Sequence, residues 1–254
     1  MKFTCIIATL NASRLLVRAL GSVLGQSYGN YELIVQDGGS TDDTPDLLRR
    51  YGSRIDWRSE TDAGVYDAWN KALDRATGDW AVFLGSDDFL LAGDVLARSR
   101  DCLIGMPSAV DFVYGNLALG KDGRPKTRVV SSLSVIYSQF FLGVGLPFSA
   151  TFVRMETLQR HRFDPSFHIA GDLEFTLRCL SGRNVARMPH YVSFMEHGGL
   201  SNNPEYAPLL REERKRILRE QVIPKAGLIA ECCLEHLDEE ENPSSMRDIR
   251  HSQN

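Results

Sequence analysis

No stretch of this sequence stays apolar for the ~18 residues that a membrane-spanning helix requires. The opening run, one lysine and then Phe3 to Ala8, ends at the polar Thr9 and Asn11 and is too short for a signal peptide. Cysteine is scarce: Cys5, Cys102, Cys179, Cys232 and Cys233 have neither a zinc spacing nor a redox spacing. A reducing, cytoplasmic setting is therefore expected. Charge of one sign is lacking too, with a formal net charge of −4, so nothing draws the whole chain toward nucleic acid. No internal repeat and no Pro/Gly/Ser-rich linker divides it.

What is present is ordinary soluble material, 254 residues that are 43% hydrophobic and 24% charged, enough for a sizeable core. Phe3 to Thr9 is a continuous apolar run, the pattern of a strand buried on both faces. Leu15, Leu16, Ala19, Leu20, Val23 and Leu24 then recur at helical spacing. Tyr31 to Gln36 reads as a second buried strand, and Thr44-Pro45 as an N-cap with proline at the first helical position, opening a helix to about Tyr51. Arg54 to Ser59 alternates as a shorter third strand. A helix over Val65 to Ala76, stopped by Gly78, leads into a strand over Trp80 to Leu84. This rhythm predicts right-handed crossovers and a parallel sheet with helices on both faces.

After residue 90 the rhythm fails. Asp111 to Gly115, Lys126 to Ser131, Ala150 to Val153 and Tyr191 to Met195 are strand-like but follow no βα rhythm, Gly120 to Arg124 looks like a hairpin turn, and a helix starts near Gly171-Asp172. We read residues 91–205 as a mixed-direction extension of the same sheet. Residues 206–237 are helical and charged, interrupted at Pro224, and the polar tail 238–254 is expected to be disordered.

Four polar clusters terminate successive strands: Thr9 to Asn11, Asp37 to Asp42, Asp62 to Gly64, and Ser86-Asp87-Asp88. One by one they are common turn chemistry. Together they are not, because a parallel sheet gathers the C-terminal ends of its strands on one edge, where ligands bind. Paired carboxylates there suit a hard cation that also holds phosphate oxygens.

This ordered set resembles the family 2 glycosyltransferases, nucleotide-sugar-dependent enzymes of the GT-A fold. Ile6-Ile7-Ala8-Thr9-Leu10-Asn11 and Tyr31-Glu32-Leu33-Ile34-Val35-Gln36-Asp37-Gly38-Gly39-Ser40-Thr41-Asp42 are similar to the family's first two strands and loops. The likeness is close over Phe3 to Leu90 and looser over Pro147 to Ser201. It implies a donor half at residues 1–90, an acceptor half at 91–205, and an inverting transfer to a hydroxyl acceptor. By this resemblance Thr9, Asn11, Asp37, Asp62, Asn70 and Ser86 surround the nucleotide. Asp87 and Asp88 end the metal motif, holding Mg²⁺ or Mn²⁺ against the diphosphate. Ile169-Ala170-Gly171-Asp172-Leu173-Glu174 matches the family's acidic segment, with Asp172 as the general base and Glu174 the runner-up on another helix face. His197-Gly198-Gly199-Leu200-Ser201 resembles a late segment that closes over the site, where His197 would meet the diphosphate.

Three departures stand out: Gly85 replaces the first metal-motif aspartate, Leu10 a frequent tyrosine, and Gly38 a frequent second aspartate. The donor therefore stays open among UDP-, GDP- and dTDP-sugars, UDP placed first, with a hexosyl or N-acetylhexosaminyl group moved. A glycan or lipid-linked acceptor in cell-surface polysaccharide or glycolipid synthesis is implied. The run Arg211, Arg214, Lys215, Arg216, Arg219 and Lys225 beside Leu210, Ile217, Leu218, Val222 and Ile223 reads two ways. It is a basic amphipathic helix for peripheral contact at the inner membrane face, or a solvated helix packed on its own domain. Competing functions are a catalytically weak nucleotide-sugar-binding protein, which Gly85 would suit, and a nucleotidyltransferase. The latter needs a Gly-rich basic loop that Thr9 to Arg14 lacks.

Overall fold

Phe3–Thr9 (β1) is the strand around which the sheet is laid, and all but one of its side chains are buried. The computed structural model describes residues 1–182, 184–199 and 203–232. Tyr31–Asp37 (β2) and Trp80–Gly85 (β4) flank β1 in parallel, and Asp56–Ser59 (β3) extends β2 in the same direction. The crossovers are Ser13–Leu24 (α1), Thr44–Tyr51 (α2) and Val65–Leu73 (α3). Leu16, Ala19, Leu20 and Val23 are the buried face of α1, as their spacing predicts.

The second half continues the sheet with mixed directions. Phe89–Leu90 (β5), Val95–Ile104 (α4), Phe112–Lys121 (β6), Arg124–Val129 (β7), Leu133–Phe140 (α5), Thr151–Arg154 (β8), Met155–His161 (α6), Gly171–Cys179 (α7) and Val185–Glu196 (β9) follow in order. The strands lie as β3-β2-β1-β4-β8-β6-β9-β5, with β7 paired to β6. β8 is antiparallel to β4 and to β6, whereas β6 and β9 are parallel. This is the α/β, mostly parallel, Rossmann-like sheet with a mixed extension that the sequence predicts. Asp122 (φ 54°) and Gly123 (φ 72°) turn the β6–β7 hairpin, two left-handed residues as a tight hairpin needs.

Each face of the sheet carries its own core. One packs α1, α2 and α4 through Leu16, Leu48 and Val95. The other holds a nest of rings, with Trp69 between Phe83 at 4.7 Å and Phe163 at 5.1 Å. Such pairs add about 0.5–1.5 kcal/mol each beyond the area they bury.

Four local readings are corrected. Helix α3 ends at Leu73, short of Ala76, and Gly78 is not its stop: it is a close-approach glycine, where a Cβ would lie 2.6 Å from Thr4 Oγ1 and 2.8 Å from the Thr4 nitrogen. Asp43, not Thr44, is the N-cap of α2, because Asp42 Oδ1 accepts from the Thr44 nitrogen (2.9 Å) and draws Thr44 into the first turn. Strands β6 and β9 are about twice the length expected, since they pair with one another over most of their extent. Past Ala207–Ile217 (α8) the chain stays helical through Pro224 to Cys232, in wider and tighter turns that absorb the proline. The tail 238–254 lies outside the described residues. Among the described residues no helix is long and apolar enough to cross a membrane.

Candidate active site

The registers Thr9↔Asp37, Asp37↔Ser59 and Ala8↔Gly85 align the C-terminal ends of four parallel strands. A cavity of about 850 Å³ opens beside β1 and β4, running on toward β6 and α7. Of the residues singled out in the sequence, Thr9, Asp62, Ser86, Asp87, Asp88 and Asp172 line it. Asn11, Asp37, Asn70, His197 and Glu174 do not, and each has a visible structural engagement instead.

Asp37 is wholly buried, accepting from the Ser40 nitrogen (3.1 Å) and hydroxyl and from Ser59 Oγ (2.5 Å). Asn11 sits at φ 49°, and its Oδ1 accepts from the backbone of Thr41 (2.8 Å) and Asp42 (3.3 Å). These two organise the loop that flanks the cavity. Asn70 clamps the backbone of Phe163 from both sides, at 2.9 and 3.0 Å. Glu174 is a buried partner of Arg178, 2.7 Å from its Nε. The His197 side chain is exposed, and its backbone nitrogen donates to the Gly120 carbonyl (2.7 Å). Gly198 and Gly199 do reach the cavity wall, and Leu200 and Ser201 lie outside the described residues.

At the β1 end, Thr9 Oγ1 is buried without a hydrogen-bond partner among the described residues. Asp62 accepts from the Gly64 nitrogen (3.0 Å), and burial holds its carboxyl above the usual range. Gly64, at φ 122°, supplies the left-handed turn that starts α3 below it.

The acidic pair follows β4. A Cβ on Gly85 would lie 2.7 Å from Asp87 Oδ1 and 3.3 Å from Asp88 Oδ2, so both carboxylates fold over a bare Cα. Asp88 is 7% exposed, and accepts only long bonds from the nitrogens of Gly85 and Glu196, both 3.3 Å. Burial, reinforced by the Asp87 charge, pushes Asp88 up to about 7. Asp87 is also raised, first by burial and then by Glu196. Two carboxylates disfavoured as anions on a cavity wall fit a divalent cation, which would relieve that cost. Among the described residues no third acidic, histidine or cysteine side chain completes a metal cluster with them.

Arg18, on α1, braces this pair. It donates from one nitrogen to the Asp87 carbonyl (2.9 Å) and to Glu196 Oε2 (2.6 Å), and lies 4.6 Å over the Phe89 ring. Glu196 also accepts from the Gly123 nitrogen (3.1 Å), tying the acidic loop to the β6–β7 hairpin.

Asp172 stands in the first turn of α7. The Leu173 nitrogen donates to its Oδ1 (2.8 Å), and the Tyr66 hydroxyl is 3.4 Å away. Burial raises it to about 6, with a lesser push from Glu213. The loop before it is held by Glu213 of α8, which accepts from the nitrogens of His168 (2.6 Å), Ile169 (3.0 Å) and Ala170 (2.8 Å). Arg18, Glu196 and Glu213 are not among the site residues read from the sequence, because their pairings span 43 to 178 residues.

The apolar side of the C-terminal basic run is packed on the domain. Ile217 and Val222 are buried, Leu210 and Leu218 pack against the core, and only Ile223 of the apolar set is exposed. Arg216 lies 4.3 Å over Phe167, and Lys225 caps α7 through the carbonyls of Leu177, Arg178 (3.1 Å) and Leu180 (3.3 Å). The apolar face of this helix is thus packed on its own domain, the second of the two readings, while Arg211, Lys215 and Arg219 stay exposed.

Residues 4–97 match the profile of Glycosyl transferase family 2. A PGL/p-HBAD biosynthesis glycosyltransferase of Mycobacterium bovis is 34% identical over 218 residues, covering 79% of each chain. Among solved structures, residues 1–349 of Staphylococcus aureus TarS in complex with UDP-GlcNAc superpose with a TM-score of 0.69 at 18% identity. That match covers 98% of this chain and 76% of that one. Glucosyl-3-phosphoglycerate synthase of Mycobacterium tuberculosis, in complex with Mn²⁺, UDP and phosphoglyceric acid, gives 0.62 at 19%, covering 86% and 78%.

Proposed function

The chain belongs to glycosyltransferase family 2, and on that premise we propose an inverting, cation-assisted transfer in which Asp172 is the base. The observation that carries the proposal is one cavity lined by Asp62, the Asp87–Asp88 pair and Asp172. Residues 1–90 hold the nucleotide sugar and residues 91–205 present the acceptor.

Asp172, ionised, accepts the proton of an acceptor hydroxyl. The oxygen forms its bond to the anomeric carbon as the bond to the diphosphate breaks, so one displacement inverts the centre. The electron pair leaves with the nucleoside diphosphate. Asp87 and Asp88 would hold a divalent cation, which would supply neutralisation of that leaving charge. Thr9 and Asp62 flank the nucleotide, and Asn11 and Asp37 hold the loop behind it. Gly198 and Gly199 cover the diphosphate side, a Cβ on Gly199 lying 3.6 Å from Asp87 Oδ2.

The TarS likeness supports a UDP-sugar as the first donor to test, with GDP- and dTDP-sugars next, and the synthase supports Mn²⁺ beside Mg²⁺. The mycobacterial relative supports an acceptor in glycolipid synthesis.

The test is nucleotide release from a panel of UDP-, GDP- and dTDP-sugars with Mn²⁺, Mg²⁺ or chelator, using Asp88→Asn and Asp172→Asn as controls. The expected result is cation-dependent release with one nucleotide class, lost in both variants. Equal slow release by wild type and variants, with donor binding retained, overturns catalysis and leaves a nucleotide-sugar-binding protein.

A further inference from the structure

The cavity is chemically divided. Its β1 and β4 end carries Thr9, Asp62, Asp87 and Asp88, and Asp172 of α7 lines the same cavity. The remainder is walled by Leu117 and Leu119 of β6, Val129 of β7, Ile136 of α5, and Val144 and Leu146 of the loop after it. These come from strands and loops separated from β1 by β4 and β8, so this wall is not where the nucleotide lies in the proposed reading. Besides His168 and Glu196, the latter already paired with Arg18, its polar side chains are Ser131, Gln139 and Ser149, and Ser149 already faces Ser193 Oγ at 3.2 Å. An oligosaccharide needs many hydrogen-bond partners, and this wall would strip its hydroxyls of water without replacing them. A few polar groups on an apolar wall suit instead a single hydroxyl-bearing head with an apolar body.

The same segments stay apolar at the surface. Val144, on the cavity wall, is itself 37% exposed, and Leu142, two residues before it, is 73% exposed. The apolar wall therefore reaches solvent along the loop after α5, a path for a body longer than the cavity.

We propose that the wall of β6, β7 and α5 seats an apolar aglycone, so that the acceptor is a hydroxyl-bearing head group joined to an alkyl or aryl body. The inference rests on the glycosyltransferase reading for which end is the donor's. An acceptor so seated would present its hydroxyl to the Asp172 carboxylate, which lines the same cavity.

Methyl, butyl and hexyl β-D-glucopyranoside, each below its micelle concentration, are titrated calorimetrically with and without saturating UDP and Mn²⁺. UDP is titrated on the same samples. Each added methylene is expected to tighten binding about two- to fourfold, so that hexyl exceeds methyl by about 30-fold or more. Val129→Asn and Val144→Asn, both at partly exposed positions, should flatten that series and leave UDP binding unchanged. Equal affinity for methyl and hexyl glucoside, or an undiminished series in both variants, overturns the apolar seat. A protein that shows the series but takes no UDP overturns the donor reading instead.

Discussion

Asp62 lies across Gly38, with its Oδ2 2.7 Å from the position that a Cβ on residue 38 would occupy. The glycine that departs from the family's common aspartate is thus the floor on which the cavity's own aspartate rests. The two positions compete for one carboxylate site. In this chain β3 and its loop supply it, and β2 stays bare.

Gly38→Ala should therefore act on the donor more than on the fold. The atom displaced is the free end of a side chain, and the backbone at 38 needs no left-handed conformation, so the melting temperature should move by no more than about 3 °C. The donor KM should rise about tenfold as Asp62 is pushed aside. Gly38→Asp brings two carboxylates together and should cost more, with the excess diminishing in high salt. Steady-state kinetics beside a thermal melt would decide it, an unchanged KM in Gly38→Asp being the contrary result.

The parallel half was legible because each strand–helix step is local. Periodicity placed β1, β2 and β4 within a residue of their observed ends, and the parallel rule then put Thr9, Asp62 and Asp87-Asp88 on one edge. The same rule could not tell which polar ends face the cavity and which support it. Asp37 and Asn11 carry the same turn chemistry as Asp62, yet their acceptors are spent on the loop of residues 40–42. The second half resisted for another reason. β6 meets β9 through pairs such as Asn116↔Tyr191, with register breaks on either side of Asn116, and no local pattern announces a partner so distant. Helix α7 and Asp172 were legible through the acidic segment itself. The apolar wall was not, since no local pattern separates Leu117 and Val129 from the core residues of a strand.

The acidic pair predicts a thermal signature. Asp87 and Asp88 are both held above the usual carboxylate range by burial, and a cation that binds only the folded protein adds stability by mass action. At 100 times its dissociation constant, Mn²⁺ with UDP should contribute about 2.7 kcal/mol, or roughly 5–10 °C in melting temperature. Asp87→Asn and Asp88→Asn should abolish the Mn²⁺ increment, and Asp88→Asn alone should melt no lower than wild type. A full increment in Asp88→Asn would remove that residue from the cation site.

Glu213 should separate into charge and hydrogen bonding. It accepts three backbone N–H groups ahead of α7 while its charge raises Asp172. Glu213→Ala leaves those donors without their acceptor and should cost about 3 kcal/mol or more by chemical denaturation. Glu213→Gln retains one carbonyl oxygen and drops the charge, so it should fold, with the acid limb of its activity profile moved to lower pH. A purely structural Glu213 would leave that limb in place.

Asp172 gives the sharpest pH prediction, because its two forms pull activity and stability in opposite directions. Its carboxyl is raised from 3.8 to about 6, so folding favours the protonated form. Stability is therefore unaffected below about pH 4, and falls as pH rises through the interval between 3.8 and about 6, by at most about 3 kcal/mol. The base, however, works only when ionised, so turnover should climb through pH 6 and level off above it. Asp172→Asn should cut kcat by about 10³-fold or more with donor binding retained, and should be more stable than wild type at pH 7.5. That stability gap should close on titration to pH 4, where both side chains are neutral. A variant with no gain at pH 7.5, or an activity profile flat between pH 5 and 7, would mean that Asp172 is neither strained nor the base.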